Sequence, residues 1–396
     1  MTVGSLSPRT VLTSLKVWVV LFRILLHLVR LVWVRTGSVS KTVKFLQYLF
    51  HTHDSLHGPQ ARHRFAQVNG RYFLGLHIPG WPSPQFDRWV LHELGHASSP
   101  THNGSLVTAI VAITRRCHLQ CEHCLEWDRL GETETVSVEM LENTIAQLQK
   151  RGVGTIQLSG GEPLERFYDL LTILMSAQPT CDFWILTSGV GLTATRAGML
   201  ADAGLTGVNV SLDHWQPARH NHFRGMTRAF EWAEKAVVHA KKAGLVTCLS
   251  ICATRDFVSR DNLVSYHTLA KEWGVAFIQL LEPRSVGRYA GNDVALTPEN
   301  VADLEVFFLE CSTGGLAPGA PQVIYHGYHQ RRMGCVAAGF RYLYIDSNGA
   351  VHACPFCQDP VGSIHETSLD GLLVCLQEKS CQEFTSAAPP HYAGLL

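Results

Sequence analysis

Short apolar runs alternate with longer amphipathic segments between residues 105 and 283. The short runs predict β-strands at residues 106–113, 155–160, 182–188, 207–212, 246–254 and 276–282. Amphipathic stretches between them predict helices, and two of these stretches end on glycine, as helices commonly do. Six successive strand–helix units predict an α/β fold with parallel strands and right-handed crossovers. A barrel and an open doubly wound sheet both satisfy this pattern, and both place a ligand site at the carboxyl ends of the strands.

The N-terminal pattern is different. Residues 14–35 are apolar but interrupted by charge, and Lys16, Arg23, His27 and Arg30 share one narrow stripe of a helix at about 100° per residue. Because Arg23 and Arg30 would lie at depth in a spanning helix, we expect a helix that lies on an anionic membrane surface. A helix packed on the protein's own barrel or on a partner is one alternative, and a membrane span is another.

Composition narrows the functional classes. The 396 residues carry 33 basic and 33 acidic side chains, so a nucleic-acid binder, which is basic overall, is not expected. The charge is distributed unevenly along the chain, since residues 1–53 contain seven lysines or arginines and no carboxylate. No cleavable signal peptide is expected. The predicted location is therefore cytoplasmic and peripheral, on the inner face of the membrane.

Twelve cysteines are clustered along the chain rather than spread evenly. Clustering favours metal or cluster ligation in a reducing compartment over a disulfide framework. Four of the cysteines stand in apolar contexts and are expected to be buried core thiols: Cys181, Cys248, Cys252 and Cys311.

Three cysteines follow the first predicted strand of the barrel. Cys117, Cys121 and Cys124 form a Cys-x3-Cys-x2-Cys loop within ITRRCHLQCEHC. Closely spaced thiolates suit an iron–sulfur cluster or a zinc ion. Three ligands leave one position open in a site that normally takes four, so a substrate or cofactor can bind there.

This spacing resembles the defining motif of radical S-adenosylmethionine (radical SAM) enzymes. The resemblance implies a catalytic 4Fe-4S cluster on the three cysteines, with the amino and carboxylate groups of S-adenosylmethionine on the fourth iron. It also implies that His123 packs near the adenine. The sequence LSGGEP after the second strand is similar to the family's GGEP motif, which holds the methionine ammonium: Gly160, Gly161, Glu162 and Pro163. Glycines fit there because the backbone must approach the ligand closely.

Later strand ends match the family less sharply. Ser188 stands where relatives often carry an asparagine. The resemblance therefore implies a cofactor contact at this position, here through a serine side chain. Ser211 and Asp213 end the fourth strand, where family members use a serine for the methionine carboxylate or the nearby ribose. The alternative is that these polar residues cap the next helix. Arg284 and Arg288 follow the sixth strand and could pair with a carboxylate or be ordinary loop arginines.

The C-terminal sequence contains a second group of cysteines. GCVAAGFRYLYIDSNGAVHACPFC places Cys335, Cys354 and Cys357 around a predicted hairpin. This arrangement resembles the SPASM or twitch extension of radical enzymes, which implies a second 4Fe-4S cluster. The two further cysteines of the full SPASM pattern are missing from the QDPVGSIHETS segment, so we expect the single-cluster twitch type. Cys381 is the expected fourth ligand, with Cys375 or a substrate atom as alternatives.

The stretch HELGHASSPTH resembles a zinc-protease motif. His92, Glu93 and His96 fit H-E-x-x-H, and His102 stands where a third ligand would stand. However, Ser99 replaces the glycine of the metzincin turn, and the protease's sheet and methionine turn are not expected around it. We expect these histidines to have a surface or capping role at the end of the helix FDRWVLHELGH.

The expected fold is a partial (β/α)6 TIM-like barrel of the radical SAM type, between an N-terminal helical segment and a small C-terminal cluster-binding domain. The predicted segments are a basic amphipathic membrane-associating segment (1–60), a connector with a short strand and helix (61–106), the radical SAM core barrel (107–290), a linker helix (291–334) and a twitch- or SPASM-like auxiliary domain (335–396).

The expected function is reductive cleavage of S-adenosylmethionine to a deoxyadenosyl radical that abstracts hydrogen from an unactivated carbon. The electron comes from a donor such as flavodoxin or ferredoxin. The basic helix favours a lipid or lipid-linked substrate at the membrane. Peptide or protein modification is the alternative, and a non-catalytic iron–sulfur or zinc scaffold is an alternative of another class.

Overall fold

The computed structural model describes residues 14–57, 64–98, 106–314, 319–335 and 340–378. Within these ranges the chain forms twelve α-helices and eleven β-strands. The strands are β1 (Ala66–Val68), β2 (Arg71–Phe73), β3 (Thr108–Ala112), β4 (Thr155–Ser159), β5 (Asp182–Thr187), β6 (Leu205–Ser211), β7 (Val246–Cys252), β8 (Phe277–Leu281), β9 (Gln322–Tyr325), β10 (Tyr342–Ile345) and β11 (Val351–His352). The helices are α1 (Ser14–Thr36), α2 (Val39–His57), α3 (Pro84–Ser98), α4 (Val138–Lys150), α5 (Phe167–Ser176), α6 (Ala194–Asp202), α7 (Pro217–Arg224), α8 (Ala229–Lys242), α9 (Arg260–Trp273), α10 (Pro298–Thr313), α11 (His326–Met333) and α12 (Leu369–Glu378).

Nine strands form one sheet in the order β11-β10-β3-β4-β5-β6-β7-β8-β9. Every neighbouring pair in it is parallel except β10 with β11. The six predicted strands are β3 to β8, and each lies within two residues of its predicted limits. The α/β class and the parallel strand order are therefore confirmed.

The two faces of the sheet differ because successive side chains of a strand point in opposite directions. In β3, Ala109 and Val111 belong to the large outer core, which also contains Leu141 and Ile145 of α4. Ile110 points to the inner face and packs with other residues there. The inner face also carries polar groups, and it encloses a cavity of about 1280 Å³ that reaches the carboxyl ends of the strands.

The amino-terminal ends of the strands are covered by the segment before the barrel. Arg71 of β2 forms an ion pair with Asp182, the first residue of β5, at 2.7 Å. The His77 Nδ1 atom lies 3.2 Å from the hydroxyl of Thr108, the first residue of β3. Phe73 packs in a small core with residues of β5, β7 and β8. The connector thus closes the end of the barrel opposite to the predicted site.

The C-terminal hairpin extends the barrel sheet. β10 pairs in parallel with β3, and β11 pairs antiparallel with β10. Residues 291–334, predicted as a linker helix, also contain β9, which pairs in parallel with β8 at the other edge. Strands outside the six predicted βα units therefore continue the sheet on both sides.

Candidate functional site

The three cysteines of the Cys-x3-Cys-x2-Cys loop lie at the carboxyl end of β3 and line the internal cavity. Cys121 is buried, and Cys117 and Cys124 are half-buried. Burial raises the pKa of both Cys117 and Cys124 to about 12. Buried thiols of this kind become thiolates at neutral pH only where a bound cation compensates their charge.

The start of the cysteine loop is anchored by polar contacts rather than by strand pairing. The Thr114 hydroxyl donates to Glu134 at 2.5 Å, and the Arg115 amide also donates to the Glu134 carboxylate. The guanidinium of Arg115 is buried and donates to the Thr133 carbonyl at 2.6 Å. The chain between Arg115 and Glu134 is therefore a closed loop with its two ends tied together.

The GGEP loop after β4 supports the same backbone. The Gly161 amide donates to the Thr114 carbonyl at 2.8 Å, and the Glu162 amide donates to the Arg116 carbonyl at 2.7 Å. Gly160 has a φ of 140°, and a Cβ atom there would lie 2.6 Å from the Thr114 oxygen. A Cβ on Gly161 would overlap the Arg116 carbonyl. Only glycines permit this close approach of the two loops.

Glu162 is a buried carboxylate that organises the neighbouring strand end. One oxygen accepts from the Thr187 hydroxyl at 2.6 Å and from the Leu164 amide at 3.2 Å. The other accepts from the amide and the hydroxyl of Ser188, at 2.8 and 2.6 Å. Burial raises the pKa of Glu162, while these donors oppose the rise. Pro163 follows at the first position of a short 3-10 helix. Ser188, predicted as a cofactor contact, is thus held by Glu162 at the cavity wall.

Asp213 also has both carboxylate oxygens engaged inside the protein. Its Oδ1 atom accepts from the Cys252 amide at 3.0 Å, and its Oδ2 atom accepts from Arg224 Nε at 2.6 Å. Burial alone would raise the pKa of Asp213, but the Arg224 guanidinium, together with the neighbouring histidines and the Cys252 amide, holds the pKa below its usual range. Asp213 lines the cavity beside Ser211, which is half-buried.

Arg224 is a site residue that the sequence did not reveal. It is the last residue of α7 and is buried. Its Nη1 atom lies 3.5 Å from the Sγ atom of Cys121, to which it donates a hydrogen bond. An arginine near the end of a helix ordinarily interacts favourably with the helix dipole. The sequence around Arg224 therefore did not mark it as a site residue. The contact with Cys121 depends on the fold of the whole barrel.

His123 stacks on Phe223, with ring centroids 4.9 Å apart and an interplanar angle of 25°. Burial lowers the pKa of His123 to about 4, so the imidazole is neutral at pH 7. Its Nδ1 atom is buried and has no hydrogen-bond partner among the described residues. A neutral stacked ring at the cavity wall is compatible with the predicted packing against an adenine, which stays a prediction.

The arginines after β8 have protein partners. Arg288 donates to the carbonyls of Gln120 and Cys121, at 2.6 and 3.2 Å, and lies over the Trp127 ring at 4.1 Å. Arg284 lies 3.7 Å from the Glu282 carboxylate. Of the two alternatives left open for Arg288, the structure favours an ordinary loop arginine, since its side chain stabilises the backbone of the cysteine loop.

Three C-terminal cysteines line the same cavity as the first three: Cys335, Cys354 and Cys357. The Sγ atoms of Cys354 and Cys357 are 3.3 Å apart. Cys375 is exposed on α12 and is not among the residues that line the cavity. Cys381, the expected fourth ligand, lies outside the described residues. The structure therefore brings three of the expected auxiliary ligands to the cavity.

The C-terminal hairpin is tied directly to the cysteine loop. Glu126, two residues after Cys124, is buried and accepts hydrogen bonds from the hydroxyls of Tyr344 and Ser347. The ring of His352 bridges the Asp346 carboxylate and the Cys357 carbonyl, at 3.2 and 2.9 Å. These contacts fix the two cysteine groups relative to each other. The four cysteines expected to be core thiols are all buried, as predicted: Cys181, Cys248, Cys252 and Cys311.

The HELGH motif has a structural role in α3. Glu93 is 2% exposed and accepts hydrogen bonds from Arg341 at 2.6 Å and from the Tyr48 hydroxyl at 3.4 Å. Glu93 is not at the surface, because α3 turns this carboxylate toward α2 and the C-terminal segment. The His92 ring packs against Gly152 in the turn before β4. His102 lies outside the described residues. Within those residues no three His, Cys, Asp or Glu side chains are placed to hold a single metal ion.

We expect Glu93→Gln to destabilise the protein without affecting catalysis directly. The substitution keeps the shape but removes the charge that pairs with Arg341, at a cost of about 1–3 kcal/mol. Urea denaturation measures this loss. Glu142→Gln, on the surface of α4, is the control and should change stability by less than about 0.5 kcal/mol. A zinc-dependent peptidase activity lost in Glu93→Gln would contradict the structural role.

The comparisons with known proteins agree with this geometry. The family model "Radical SAM superfamily" matches residues 111–257, which include the cysteine loop and the GGEP loop. Residues 111–257 therefore form a radical SAM domain. The family resemblance drawn from the two motifs is thereby confirmed. The α/β partial barrel is confirmed as well.

Curated relatives of this chain include maturases and cyclases. It is 27% identical over 277 residues to mycofactocin maturase MftC of Mycolicibacterium smegmatis, covering 65% of each chain. It is 31% identical over 202 residues to GTP 3',8-cyclase 2 of Mycobacterium tuberculosis, covering 48% of this chain and 54% of the relative. It is 28% identical to PqqA peptide cyclase of Streptomyces rochei, covering 64% and 70%. The matches thus span between about half and two thirds of the first relatives' length.

Solved structures share the fold. SuiB of Streptococcus suis bound to the precursor peptide SuiA gives a TM-score of 0.57 at 14% identity, covering 82% of this chain and 74% of that one. The protein anSMEcpe with bound AdoMet gives a TM-score of 0.53 at 17% identity, covering 70% and 82%. At these identities the likeness concerns the fold alone.

Proposed function

We propose that this protein is a radical SAM enzyme with its reactive site at Cys117, Cys121 and Cys124. The observation that carries the proposal is the meeting of this loop, the GGEP loop and His123 at the wall of one large cavity. When bound, the reduced cluster supplies the electron that cleaves S-adenosylmethionine to methionine and a deoxyadenosyl radical, which takes a hydrogen atom from the substrate.

The residues present fit such a cluster and its ligand. Three thiols on one short loop leave an open coordination position, and two glycines keep the neighbouring backbone free of side chains. His123 offers a neutral ring for stacking, and Ser188 and Ser211 offer hydroxyl groups at the cavity wall. Asp213 acts through Arg224, whose position it fixes.

Formation of deoxyadenosine tests this activity. The full-length protein, reconstituted anaerobically with iron and sulfide and reduced with dithionite, is expected to convert S-adenosylmethionine to deoxyadenosine and methionine in equal amounts. A non-catalytic iron–sulfur or zinc scaffold is the competing hypothesis. It predicts neither product, even with a full complement of iron.

For the substrate we propose a peptide or protein. Support comes from the relatives, since two of those named are a mycofactocin maturase and a PqqA peptide cyclase, and a neighbour in fold holds a precursor peptide. The lipid or lipid-linked substrate expected from the basic helix has no such support. A peptide encoded beside the gene should change mass when incubated with the reduced protein and S-adenosylmethionine. Modification of a lipid extract with the peptide unchanged would reverse this preference.

A cytoplasmic location and an external one-electron donor complete the proposal. Thiolate-bound clusters call for a reducing compartment, and flavodoxin and ferredoxin are donors of the right chemical class. Reduction by either protein in place of dithionite should support deoxyadenosine formation.

We further propose that Cys335, Cys354 and Cys357 hold a second 4Fe-4S cluster. The double substitution Cys354→Ala, Cys357→Ala should lower the iron content from about eight to about four atoms per chain, because the first cluster keeps its own ligands. Iron analysis and absorbance near the cluster bands measure the change. Cys375→Ala is the matched control, and a similar loss of iron there would make Cys375 the fourth ligand. Unchanged iron in the double variant would contradict a second cluster.

A further inference from the structure

Helix α1 is apolar on two opposite faces. One face is buried in the N-terminal core, where it packs with residues of α2 and α3: Val17, Val20, Ile24, Leu28 and Val32. The helix is long and apolar enough to span a membrane by length and composition. A span would have to pull this buried face out of the core.

The opposite face of α1 points to solvent and is also apolar. Its residues follow the three- and four-residue spacing of one helix face and are between 40% and 77% exposed: Leu15, Trp18, Phe22, Leu26, Val29 and Trp33. Single exposed apolar residues are common, but a continuous row marks an interaction surface. We call these six residues the outer row. A tryptophan near each end suits the boundary between water and a lipid layer.

Basic residues flank the outer row on one side. Lys16 and Arg30 are exposed, and they lie roughly 90° around the helix from the centre of the row. The rest of the basic stripe contacts the protein, since His27 pairs with Asp87 at 2.6 Å and the Arg23 guanidinium lies over Trp81 at 5.3 Å. The face that points outward is therefore the apolar one, with positive charge along its edge.

We infer that the outer row docks on an anionic lipid bilayer, with α1 parallel to the membrane surface. The apolar side chains enter the boundary between headgroups and acyl chains, and the flanking cations reach the lipid phosphates. Residues 1–53 contain no carboxylate, so the charge matches an anionic surface. A second copy of the chain fits less well, because a symmetric contact would bring two identical basic edges together without acidic partners.

Vesicle binding by the full-length protein tests this inference. We expect co-sedimentation with vesicles of phosphatidylcholine and phosphatidylglycerol in equal parts, and much less with phosphatidylcholine alone. Phe22→Asp should lower binding about tenfold or more, since it removes a large apolar side chain from the contact. Arg30→Gln should lower it about fivefold, because each surface cation contributes about 1 kcal/mol. Val306→Asp, at a similarly exposed valine of α10, is the control and should leave binding unchanged.

Deoxyadenosine formation in Phe22→Asp serves as the folding control and should equal that of the unchanged protein. Failure to bind either vesicle would overturn the inference, as would equal binding by Phe22→Asp. A dimer in lipid-free solution that Phe22→Asp converts to a monomer would assign the outer row to a second copy instead. None of these outcomes depends on whether the substrate is a peptide.

Discussion

Cys124→Ala is expected to abolish deoxyadenosine formation, which should fall to the level of the cluster-free protein. In the proposed site, Cys124 supplies one of three thiolates for a cluster that has no fourth protein ligand in the loop, so its loss would leave two ligands. Two thiolates on a short loop hold a 4Fe-4S cluster poorly, and the open position needed by S-adenosylmethionine is no longer defined. Product formation is measured by chromatography after anaerobic reconstitution.

The matched control for Cys124→Ala is Cys375→Ala, which removes an exposed thiol that does not line the cavity. It should retain the activity of the unchanged protein. Thermal unfolding should show that the Cys124 variant remains folded, because its side chain is half-buried and small. Activity retained in Cys124→Ala, or lost equally in both variants, would refute the assignment of the reactive site.

The barrel strands could be predicted from the sequence because their signal is local. β3 to β8 are runs of apolar residues between turn-forming residues. Parallel strands that are buried on both faces have this nearly continuous apolar sequence. β10 carries a similar run, YLYI, but the sequence does not show that its partner is β3. Strand pairing between distant segments depends on the whole fold. The C-terminal hairpin was therefore expected as part of a separate domain and instead continues the sheet.

The site shows the same division between local and distant signals. Cysteine spacing and the GGEP glycines are local patterns that reflect geometry, and the structure brings both to one cavity. Arg224 and Glu126 act through partners far along the chain, Cys121 and Tyr344 respectively. Nothing next to these residues marks them as unusual. The HELGH motif shows the converse case. Its local pattern resembles a zinc-protease motif, but its Glu93 forms an ion pair with Arg341.

Several contacts converge on the backbone of the cysteine loop. The GGEP glycines contact it from β4, Arg288 from the loop after β8, and Glu126 joins it to the C-terminal hairpin. A loop of this kind would otherwise have many conformations. Because these three contacts hold the loop, its cysteines are positioned before a cluster binds. This lowers the entropic cost of assembling the site.

Arg224→Met is expected to have two separable effects, one on stability and one on the reduction potential of the cluster. Asp213 is 4% exposed, so removal of its partner leaves a buried carboxylate without a cation, at a cost of about 3–5 kcal/mol. Adding Asp213→Asn removes that charge and should restore most of the lost stability, since the asparagine oxygen can still accept from the Cys252 amide. Denaturation in urea compares the single and double variants.

The reduction potential should respond differently, because it depends on the hydrogen bond from Arg224 to the Cys121 sulfur. Donors to cluster sulfurs stabilise the reduced, more negative state. Both the Arg224→Met variant and the double variant lack the donor, so both should have a lower midpoint potential in a redox titration followed by electron paramagnetic resonance. Arg224→Lys should recover part of the shift, since an ammonium group can still donate. A double variant with the stability and the potential of the unchanged protein would show that Arg224 only balances the charge of Asp213 and has no influence on the cluster.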